Sequence, residues 1–417
     1  MPRPFLKKIF QALPNELRNP LNRQLKLLMI APTPFFADRG CHMRILGEIR
    51  ALEKLGYDIT LCTYHIGRDI PGIKTERILN IPWYKKLEAG SSWHKFYIDL
   101  LLFFKGLQVF WREKPDIVHG HLHEGAFLGH FIRKLSLRRV PLVFDAQGSL
   151  TRELLTYGFF KEGTFFHKFF RRLEKWISWM PEYTVGSNLS VSRFMVEEMH
   201  LPASRVSTVI DGVHTDFFSK SLPEGNLRAE LGIPPHHPVV IYTGALLKSK
   251  GIDYLWQAIP YVLQQNPEVY FVIVGYPVEE SRKTVERLGV SHRCLFLGQV
   301  DFFKLAPYLY LADLAVEPKL DEAGEASGKI INYMGAGLPI VCFEGPNNLN
   351  FLGENGIFAR SGDIEDLARQ IVQTLADPVK ARQIGQKNQQ RVEEVFSWNA
   401  NIKTYDQVFR QALNPPS

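Results

Sequence analysis

The sequence contains little cysteine and no long apolar run. Its four cysteines among 417 residues stand far apart, without CxxC or Cys/His ligand spacing. They predict buried thiols in a reducing compartment and exclude a disulfide framework. No run of about 18 uncharged apolar residues is present, so we expect no membrane-spanning helix. The N-terminus is basic but lacks the apolar core of a secretory signal, which favours a cytoplasmic protein.

Two common nucleotide-binding motifs are also missing. The sequence has no GxxxxGKS or GxxxxGKT pattern, and no predicted strand ends in GxGxxG, so Walker-type NTPases and simple NAD-binding enzymes are disfavoured. Three histidines alternate at His119, His121 and His123, which invites a metal interpretation. Zinc sites usually take further ligands from elsewhere, and no second cluster is visible. A single histidine that hydrogen-bonds a substrate at the end of a strand is the better prediction.

Charge is unbalanced towards the positive. A net charge of +7 and a pI near 9.0 suggest an anionic partner. Nucleic acid, an anionic membrane surface and phosphorylated substrates all qualify, and charge does not choose among them. The 45% hydrophobic and 22% charged content is that of a globular protein, and 417 residues predict two domains.

Short apolar segments alternate with helical patterns in both halves of the chain. This alternation predicts an α/β protein with two doubly wound, Rossmann-like domains that face each other across a cleft. The predicted divisions are a basic leader (1–24), a first domain (25–220), a second domain (221–395) and a C-terminal helix that packs back on the first domain (396–417).

One predicted strand–loop–helix–strand unit carries an anion-binding pattern. A strand near 312–316 opens into a polar loop at 321–328, and a helix then begins near Ser327. Helix N-termini attract anions, and Ser327, Gly328 and Lys329 add a hydroxyl, close backbone approach and a cation. The unit therefore predicts a phosphate site. An ordinary turn with a capping serine is the alternative.

Further polar residues follow other predicted strands. Lys250 precedes a helix-opening glycine in the second half, where it can reach an anion at that helix N-terminus. Arg39 and Gly40 open the first helix, and Gln147 follows a buried strand. Since ligands of open α/β sheets bind at the carboxyl ends of strands, these residues are candidate contacts. The glycine could instead serve only the turn.

Two aromatic segments stand out in the first half. Residues 165–180 predict a helix with an aromatic face and basic residues elsewhere on the wheel. Such a helix suits a membrane surface, but its aromatic face could equally pack on the sheet. Residues 93–111 are nearly apolar all round and predict a buried or interfacial helix.

Together these segments resemble glycosyltransferase family 4 (group 1), the retaining, GT-B type enzymes that use nucleotide-sugar donors. The matching order is more specific than any single motif and spans about residues 25–413. The matching segments are APTPFFADRG, DIVHGHLHEG and STVIDGVHTDFF in the first half, and GALLKSKGIDYL, FLGQV, ADLAVEP, SGKIINYMGAGLPIV, ARSGDIEDLARQI and FSW in the second.

The resemblance implies roles for particular residues. Lys250 would contact the donor diphosphate beside Gly244, and Gly298 and Gln299 would meet the nucleobase. Ser327, Gly328 and Lys329 would complete the phosphate cradle, and Asn332 would meet the ribose. His121 would contact the donor sugar, with His119 and His123 as near alternatives. Arg39, Gly40 and Gln147 would lie on the acceptor side. No DxD motif is present, so neither a metal nor another cofactor is expected.

Two departures from the family pattern motivate a rival hypothesis. Ala245 replaces an arginine that commonly contacts the diphosphate, and Asn332 replaces the second glutamate of the E-x7-E motif. The first glutamate's position falls on Gly324, with Glu325 and Glu322 nearby, and Glu325 is the predicted carboxylate of the reacting centre. A non-catalytic GT-B scaffold or partner subunit in glycan synthesis is therefore the alternative.

The activity implied by the resemblance is hexosyl or N-acetylhexosaminyl transfer with retention, from a UDP- or GDP-sugar. The acceptor would be a glycan or a lipid-linked molecule, in the synthesis of cell-surface polysaccharide, lipopolysaccharide or glycolipid. The aromatic segments favour a peripheral position on the inner face of an anionic membrane. A nucleic-acid partner rests on charge alone and is not expected.

Overall fold

A computed structural model of the protein describes residues 24–37, 40–87, 94–213, 226–320 and 327–414. The basic leader up to residue 23, Arg39 and Glu325 lie outside these ranges, as does the predicted domain boundary between residues 220 and 221. The described residues form two α/β units, each with an entirely parallel sheet.

The first unit contains a seven-stranded sheet in the order β3-β2-β1-β4-β5-β6-β7. Its central strands are apolar runs that are buried on both faces, as a parallel sheet covered by helices requires. The strands are β1 (Lys26–Ala31), β2 (Asp58–Thr63), β3 (Thr75–Arg77), β4 (Ile117–His121), β5 (Leu142–Ala146), β6 (Tyr183–Gly186) and β7 (Val206–Thr208). The helices are α1 (Gly40–Lys54), α2 (Lys95–Glu113), α3 (Leu122–Leu135), α4 (Leu150–Thr156), α5 (Phe165–Ser178) and α6 (Leu189–Glu197).

The second unit contains a six-stranded sheet in the order β10-β9-β8-β11-β12-β13. Its strands are β8 (Val239–Thr243), β9 (Tyr270–Val274), β10 (Cys294–Gly298), β11 (Leu314–Glu317), β12 (Ile340–Phe343) and β13 (Ile357–Ala359). Its helices are α7 (Leu227–Glu230), α8 (Ile252–Gln265), α9 (Glu279–Arg287), α10 (Ala306–Leu311), α11 (Gly328–Gly335), α12 (Pro346–Leu352), α13 (Ile364–Ala376) and α14 (Pro378–Val395). The predicted pair of doubly wound domains is confirmed.

Strand order reverses beside the first strand of each unit. β1 lies between β2 and β4, and β8 lies between β9 and β11. Loops on either side of such a reversal diverge and leave a crevice at the carboxyl ends of the strands. The loops that follow β1, β4, β8 and β11 carry most of the candidate residues, so the topology places them at the two crevices.

A final helix, α15 (Trp398–Leu413), packs on the first unit rather than the second. Its apolar residues Ile402 and Phe409 join the core that surrounds β1 and α1. Trp398 fills the space beside two glycines: a Cβ on Gly47 would lie 2.0 Å from its Nε1, and one on Gly212 would lie 2.7 Å from its backbone nitrogen. These positions need glycine because the indole of Trp398 and the backbone beside it occupy the room.

One predicted helix begins later than expected. The pattern over 301–311 predicts a single helix, but the structure has a 3-10 turn at Phe302–Lys304 and starts α10 at Ala306. The Asp301 carboxylate caps the turn by accepting from the Phe303 N–H at 2.9 Å. Pro307 then occupies the first turn of α10, where its missing N–H leaves no bond unmade.

Candidate functional site

Three glycines end adjacent strands of the second unit. The Gly244 N–H donates to the Val274 carbonyl at 2.8 Å, and the Gly275 N–H donates to the Gly298 carbonyl at 2.8 Å. A Cβ on Gly275 would lie 1.8 Å from the Gly244 oxygen, and Gly298 has a φ of +70°, so both positions require glycine. The strand ends therefore form a floor without side chains, next to the exposed Gln299. The structure brings the predicted Gly244 and Gly298 together, and Gly275, between them, is a binding candidate that sequence reasoning missed.

Lys329 lies beside this floor in a fixed position. Its Nζ is 2.8 Å from a carboxylate oxygen of Glu317 and 3.3 Å from the Tyr242 hydroxyl. The same ammonium lies 4.4 Å from the centre of the Tyr242 ring, which is a cation–π contact. A Cβ on Gly244 would lie 3.0 Å from Lys329 Cδ. The predicted cation therefore does sit at the glycine strand end.

Ser327 precedes α11 but does not cap it. Its side chain makes no capping hydrogen bond, and its hydroxyl donates to the Glu317 carboxylate at 2.8 Å. The interpretation of this serine as an ordinary helix cap is therefore wrong, because the buried carboxylate competes for the hydroxyl. Asn332 lies one turn along α11 and is half-buried, and its contact with a ribose stays a prediction.

The second predicted cation lies on the loop after β8. Lys250 ends a 3-10 turn, and Gly251 follows in the left-handed conformation as the first residue before α8. A Cβ on Gly251 would lie 2.0 Å from the Pro318 carbonyl oxygen. The lysine loop thus docks directly on the segment that leaves β11, which joins it to the surroundings of Lys329.

The first unit meets the start of α11 through Asp211. A Cβ on Gly328 would lie 4.0 Å from the Asp211 carboxylate. Burial raises the pKa of Asp211, and the Arg44 guanidinium, 2.7 Å away, opposes that rise. The predicted phosphate cradle at α11 therefore faces the first unit across this carboxylate.

Arg44 is the centre of a buried polar network beneath the crevice of the first unit. Its guanidinium donates to the Asp145 carboxylate at 2.7 Å, to the Val209 carbonyl at 2.8 Å and to the Tyr405 hydroxyl at 2.8 Å. Burial alone would raise the pKa of Asp145, but Arg44 and His121 hold it well below its usual range. The network joins the ends of β5 and β7 to α1 and α15.

His121 belongs to this network. Its ring is fully buried, with Nδ1 3.1 Å from Asp145 and Nε2 3.8 Å from Glu48. Gln147 donates to the same Asp145 carboxylate at 2.7 Å, so the two predicted residues meet on one group. Gly40 is exposed at the start of α1. His121 thus lies within hydrogen-bonding distance of Asp145, and its contact with a sugar stays a prediction.

The three alternating histidines do not converge on one point. His123 lies 3.7 Å from Glu174, whereas His119 and His121 face Glu48. Glu48, His119 and His121 could together supply three ligand atoms to a metal ion. Arg44 already lies 3.1 Å from Glu48 and 2.7 Å from Asp145, so an ion there would meet a fixed positive charge. The donor set therefore suits a guanidinium better than a divalent cation.

Helix α5 exposes the first part of the aromatic face that the sequence predicts. The side chains of Phe165, Phe166 and Phe169, in its first turns, are 77%, 60% and 49% exposed. Further along, Ile177 and Met180 are buried in the core beside β5. Lys168 and Arg172 are exposed on the same helix. The alternative, in which this face packs on the sheet, therefore holds for the later residues of the face, and the aromatic residues of the first turns stay exposed. Within the described ranges, no helix is long and apolar enough to cross a bilayer.

Helix α2 carries a second exposed apolar stripe. Phe96, Leu100, Phe104 and Trp111 recur at helical spacing and are each more than half exposed. The nearby Lys105 forms a salt bridge with Glu76, so the surface beside this stripe is less cationic than that of α5. Helix α3 lies between α2 and α5, and its Phe127 ring contacts Trp176 of α5. The two exposed faces therefore belong to one side of the first unit.

Two doubly wound units with a crevice at the carboxyl ends of their strands form the GT-B fold, which solved glycosyltransferase structures share. Residues 39–212 match the glycosyl transferase 4-like domain, and residues 237–377 match the family described as glycosyl transferases group 1. Together these matches cover most of the chain, which therefore belongs to the group 1, family 4 glycosyltransferases.

The relatives come from several kinds of glycosyltransferase. A GDP-mannose-dependent monoacylated phosphatidylinositol monomannoside mannosyltransferase of Corynebacterium glutamicum is 28% identical over 53% of this chain, and the match spans 58% of that relative. A D-inositol 3-phosphate glycosyltransferase of Corynebacterium aurimucosum is 23% identical over 90% of this chain and 91% of its own length. The crystal structure of Anabaena HepE in complex with UDP-glucose is 17% identical, covers 93% of this chain and 100% of its own, and superposes with a TM-score of 0.73.

Proposed function

We propose that the protein transfers a hexosyl or N-acetylhexosaminyl group from a UDP- or GDP-sugar to an acceptor hydroxyl, with retention at the anomeric carbon. The observation that carries this proposal is the fixed ammonium of Lys329 beside Gly244, at the carboxyl ends of the strands. Family membership and the UDP-glucose bound to the HepE structure support the choice of donor class.

The chemistry needs a group that stabilises the departing diphosphate. Fixed cations and helix N-termini do this without reorganising during the reaction, because they are already oriented. Lys329 and the backbone at the start of α11 would meet one side of the diphosphate, and Lys250 the other. The glycine floor at Gly244, Gly275 and Gly298 would let the nucleotide approach the backbone closely.

The first unit would supply the acceptor side. Asp211 and Phe36 face the second unit, and Arg44 holds Asp211 in place. Because the two units meet here, sugar and acceptor would be enclosed between them and water would be excluded from the reacting carbon. His121 would act from within the network by orienting Asp145 and, through it, Gln147.

We further propose that the acceptor is a glycan carried on a lipid, met at an anionic membrane surface. The exposed phenylalanines and cations of α5 support this proposal, since such a face matches the boundary between head groups and acyl chains. Helix α5 starts at the carboxyl edge of its sheet, as does α2, so a bilayer on this side would lie beside the mouth of the crevice. The lipid acceptor named for the C. glutamicum relative supports the same acceptor class.

Calorimetric titration with UDP, GDP and a panel of their sugars tests the donor proposal. The donor proposal would be supported if the protein binds either the UDP or the GDP series and if Lys329→Ala binds that series more weakly. A protein that binds neither nucleoside diphosphate would contradict the proposal and favour the scaffold alternative, which Ala245 and Asn332 motivate. Hydrolysis of a bound sugar nucleotide without acceptor would separate an enzyme from a scaffold that only binds.

A further inference from the structure

A fully buried carboxylate lies under the proposed diphosphate site. Glu317 is the last residue of β11 and has no exposed surface. Burying a carboxylate is costly unless it is paired and hydrogen-bonded. An apolar residue would suit the end of a parallel strand better, so this carboxylate needs an explanation beyond the packing of the sheet.

Both oxygens of Glu317 accept hydrogen bonds from residues that flank the loop at 321–326. One oxygen accepts from the Lys319 backbone N–H at 3.2 Å. The other accepts from the Ser327 hydroxyl at 2.8 Å and lies 2.8 Å from Lys329 Nζ. The carboxylate therefore ties the chain before this loop to the first residues of α11.

The segment after Glu317 also supports the other proposed cation. The Pro318 carbonyl lies against Gly251, where even a Cβ would come within 2.0 Å. Gly251 directly follows Lys250 in the loop after β8. One short segment, 317–319, thus touches both cationic elements of the proposed diphosphate site.

Lys329 retains capacity for a ligand in this arrangement. Of its three N–H donors, one meets Glu317 and one meets the Tyr242 hydroxyl. Its side chain is 17% exposed, so the remaining N–H can meet an anion in the crevice. Because the long side chain is already ordered, little of its rotamer entropy remains to be lost on binding.

We infer that Glu317 is a positioning residue for diphosphate recognition: it holds Lys329 and Ser327 in the arrangement that a nucleoside diphosphate requires. This inference rests on the proposed function. Glu317 touches no substrate in this account and acts through the ammonium of Lys329. Its negative charge alone would weaken anion binding, so a loss of affinity on removing that charge reports positioning rather than electrostatics.

Titration calorimetry on the full chain tests the inference with UDP, GDP and the corresponding nucleosides. Glu317→Gln is expected to weaken binding of the recognised nucleoside diphosphate about tenfold and leave nucleoside affinity unchanged. Glu268→Gln is the matched control, because it makes the same change at an exposed position at the opposite end of the same sheet. Glu317→Asp should recover part of the loss.

A double-mutant cycle separates positioning from a general structural role. In a Lys329→Met background, Glu317→Gln should cause no further loss of diphosphate affinity, because its effect passes through Lys329.

If Glu317→Gln does not fold, Tyr242→Phe removes the other polar contact of Lys329 and should weaken diphosphate binding without affecting the nucleoside. Equal or tighter diphosphate binding by a folded Glu317→Gln overturns the inference, as does an equal loss for nucleoside. A wild-type protein that binds neither UDP nor GDP overturns the proposed function and this inference with it.

Discussion

Tyr405 accepts a hydrogen bond from Arg44 at 2.8 Å, and the two residues are 361 positions apart in the sequence. The phenol hydroxyl in turn donates to Glu48 at 2.6 Å. The last helix of the chain thereby completes a charged network inside the first unit. The polar network around Arg44 therefore depends on residues from both ends of the sequence.

Tyr405→Phe should destabilise the protein. The change leaves an N–H of Arg44 and an oxygen of Glu48 without this partner in a site where neither residue reaches water. Unsatisfied buried groups cost about 1–3 kcal/mol. The thermal midpoint should fall measurably, whereas Tyr261→Phe, at a 42% exposed tyrosine of α8, should leave it unchanged. Equal midpoints for the two variants would contradict the role of the network.

The pH dependence of stability should report Asp145. Its pKa is depressed in the folded protein, so its contribution to the free energy of unfolding is present at neutral pH. That contribution should be lost as the pH falls below about 4, the ordinary pKa of an aspartate. Asp145→Asn should be less stable at neutral pH, and its free energy of unfolding should fall less steeply than that of the wild type as the pH drops from about 5 to about 2. An acid limb identical to that of the wild type would contradict the assignment.

Gly244→Ala should impair nucleotide binding through Lys329. A Cβ at this position would lie 3.0 Å from Lys329 Cδ, and Gly244 also has a φ of +127°. Gly289→Ala is the control, because Gly289 has a φ of +72° but no heavy atom within 4 Å of the added carbon. Both variants should lose stability from backbone strain. Only Gly244→Ala should lose affinity for a nucleoside diphosphate, as measured by calorimetry.

Phe303→Ala should loosen the two units. The Phe303 ring stacks on Phe36 of the first unit with centroids 5.7 Å apart, and the Arg68 guanidinium lies 4.9 Å from the Phe36 ring and 3.3 Å from Asp301. In the sequence, Phe303 closely follows Gly298 and Gln299, and Phe36 closely precedes Gly40. Small-angle scattering should show a larger radius of gyration for Phe303→Ala. Phe104→Ala, on the exposed face of α2, should match the wild type.

Membrane binding should depend on α5. A variant with Phe165, Phe166 and Phe169 changed to serine should lose flotation with vesicles that contain anionic lipid, because the exposed apolar face is removed. The change leaves the buried side of the helix intact, so the circular dichroism spectrum should not change. If the variant floats as well as the wild type, the membrane contact lies elsewhere than on α5. If the wild type does not float, the proposed membrane binding is contradicted.

Much of the architecture could be predicted from local patterns. Apolar runs such as Leu142–Ala146 identify buried parallel strands, and glycines after helices mark where the helices end. The short edge strand Thr75–Arg77 could not be predicted, because three half-buried polar residues carry no periodic signal. Its pairing with β2 exists only in the assembled sheet.

Some residues of the candidate site could likewise be predicted from local patterns, and others could not. Gly244, Gly298 and Lys329 could be found because glycines and a cation at strand and helix ends form local patterns. Glu317 could not be found, because its role depends on contacts with Ser327 and Lys329 that exist only in the folded chain. The buried position of His121 was likewise unpredictable, because it depends on Arg44 and on a tyrosine from the last helix.

In the proposed reaction, Lys250 and Lys329 together hold the diphosphate of a sugar nucleotide for transfer. The most direct measurement is the release of nucleoside diphosphate from UDP- and GDP-sugars by the wild type, Lys250→Ala and Lys329→Ala. We expect release by the wild type from one donor series and a rate about 10² lower in each variant, the usual effect of removing one oriented hydrogen-bond donor. Release by both variants at the wild-type rate would contradict it.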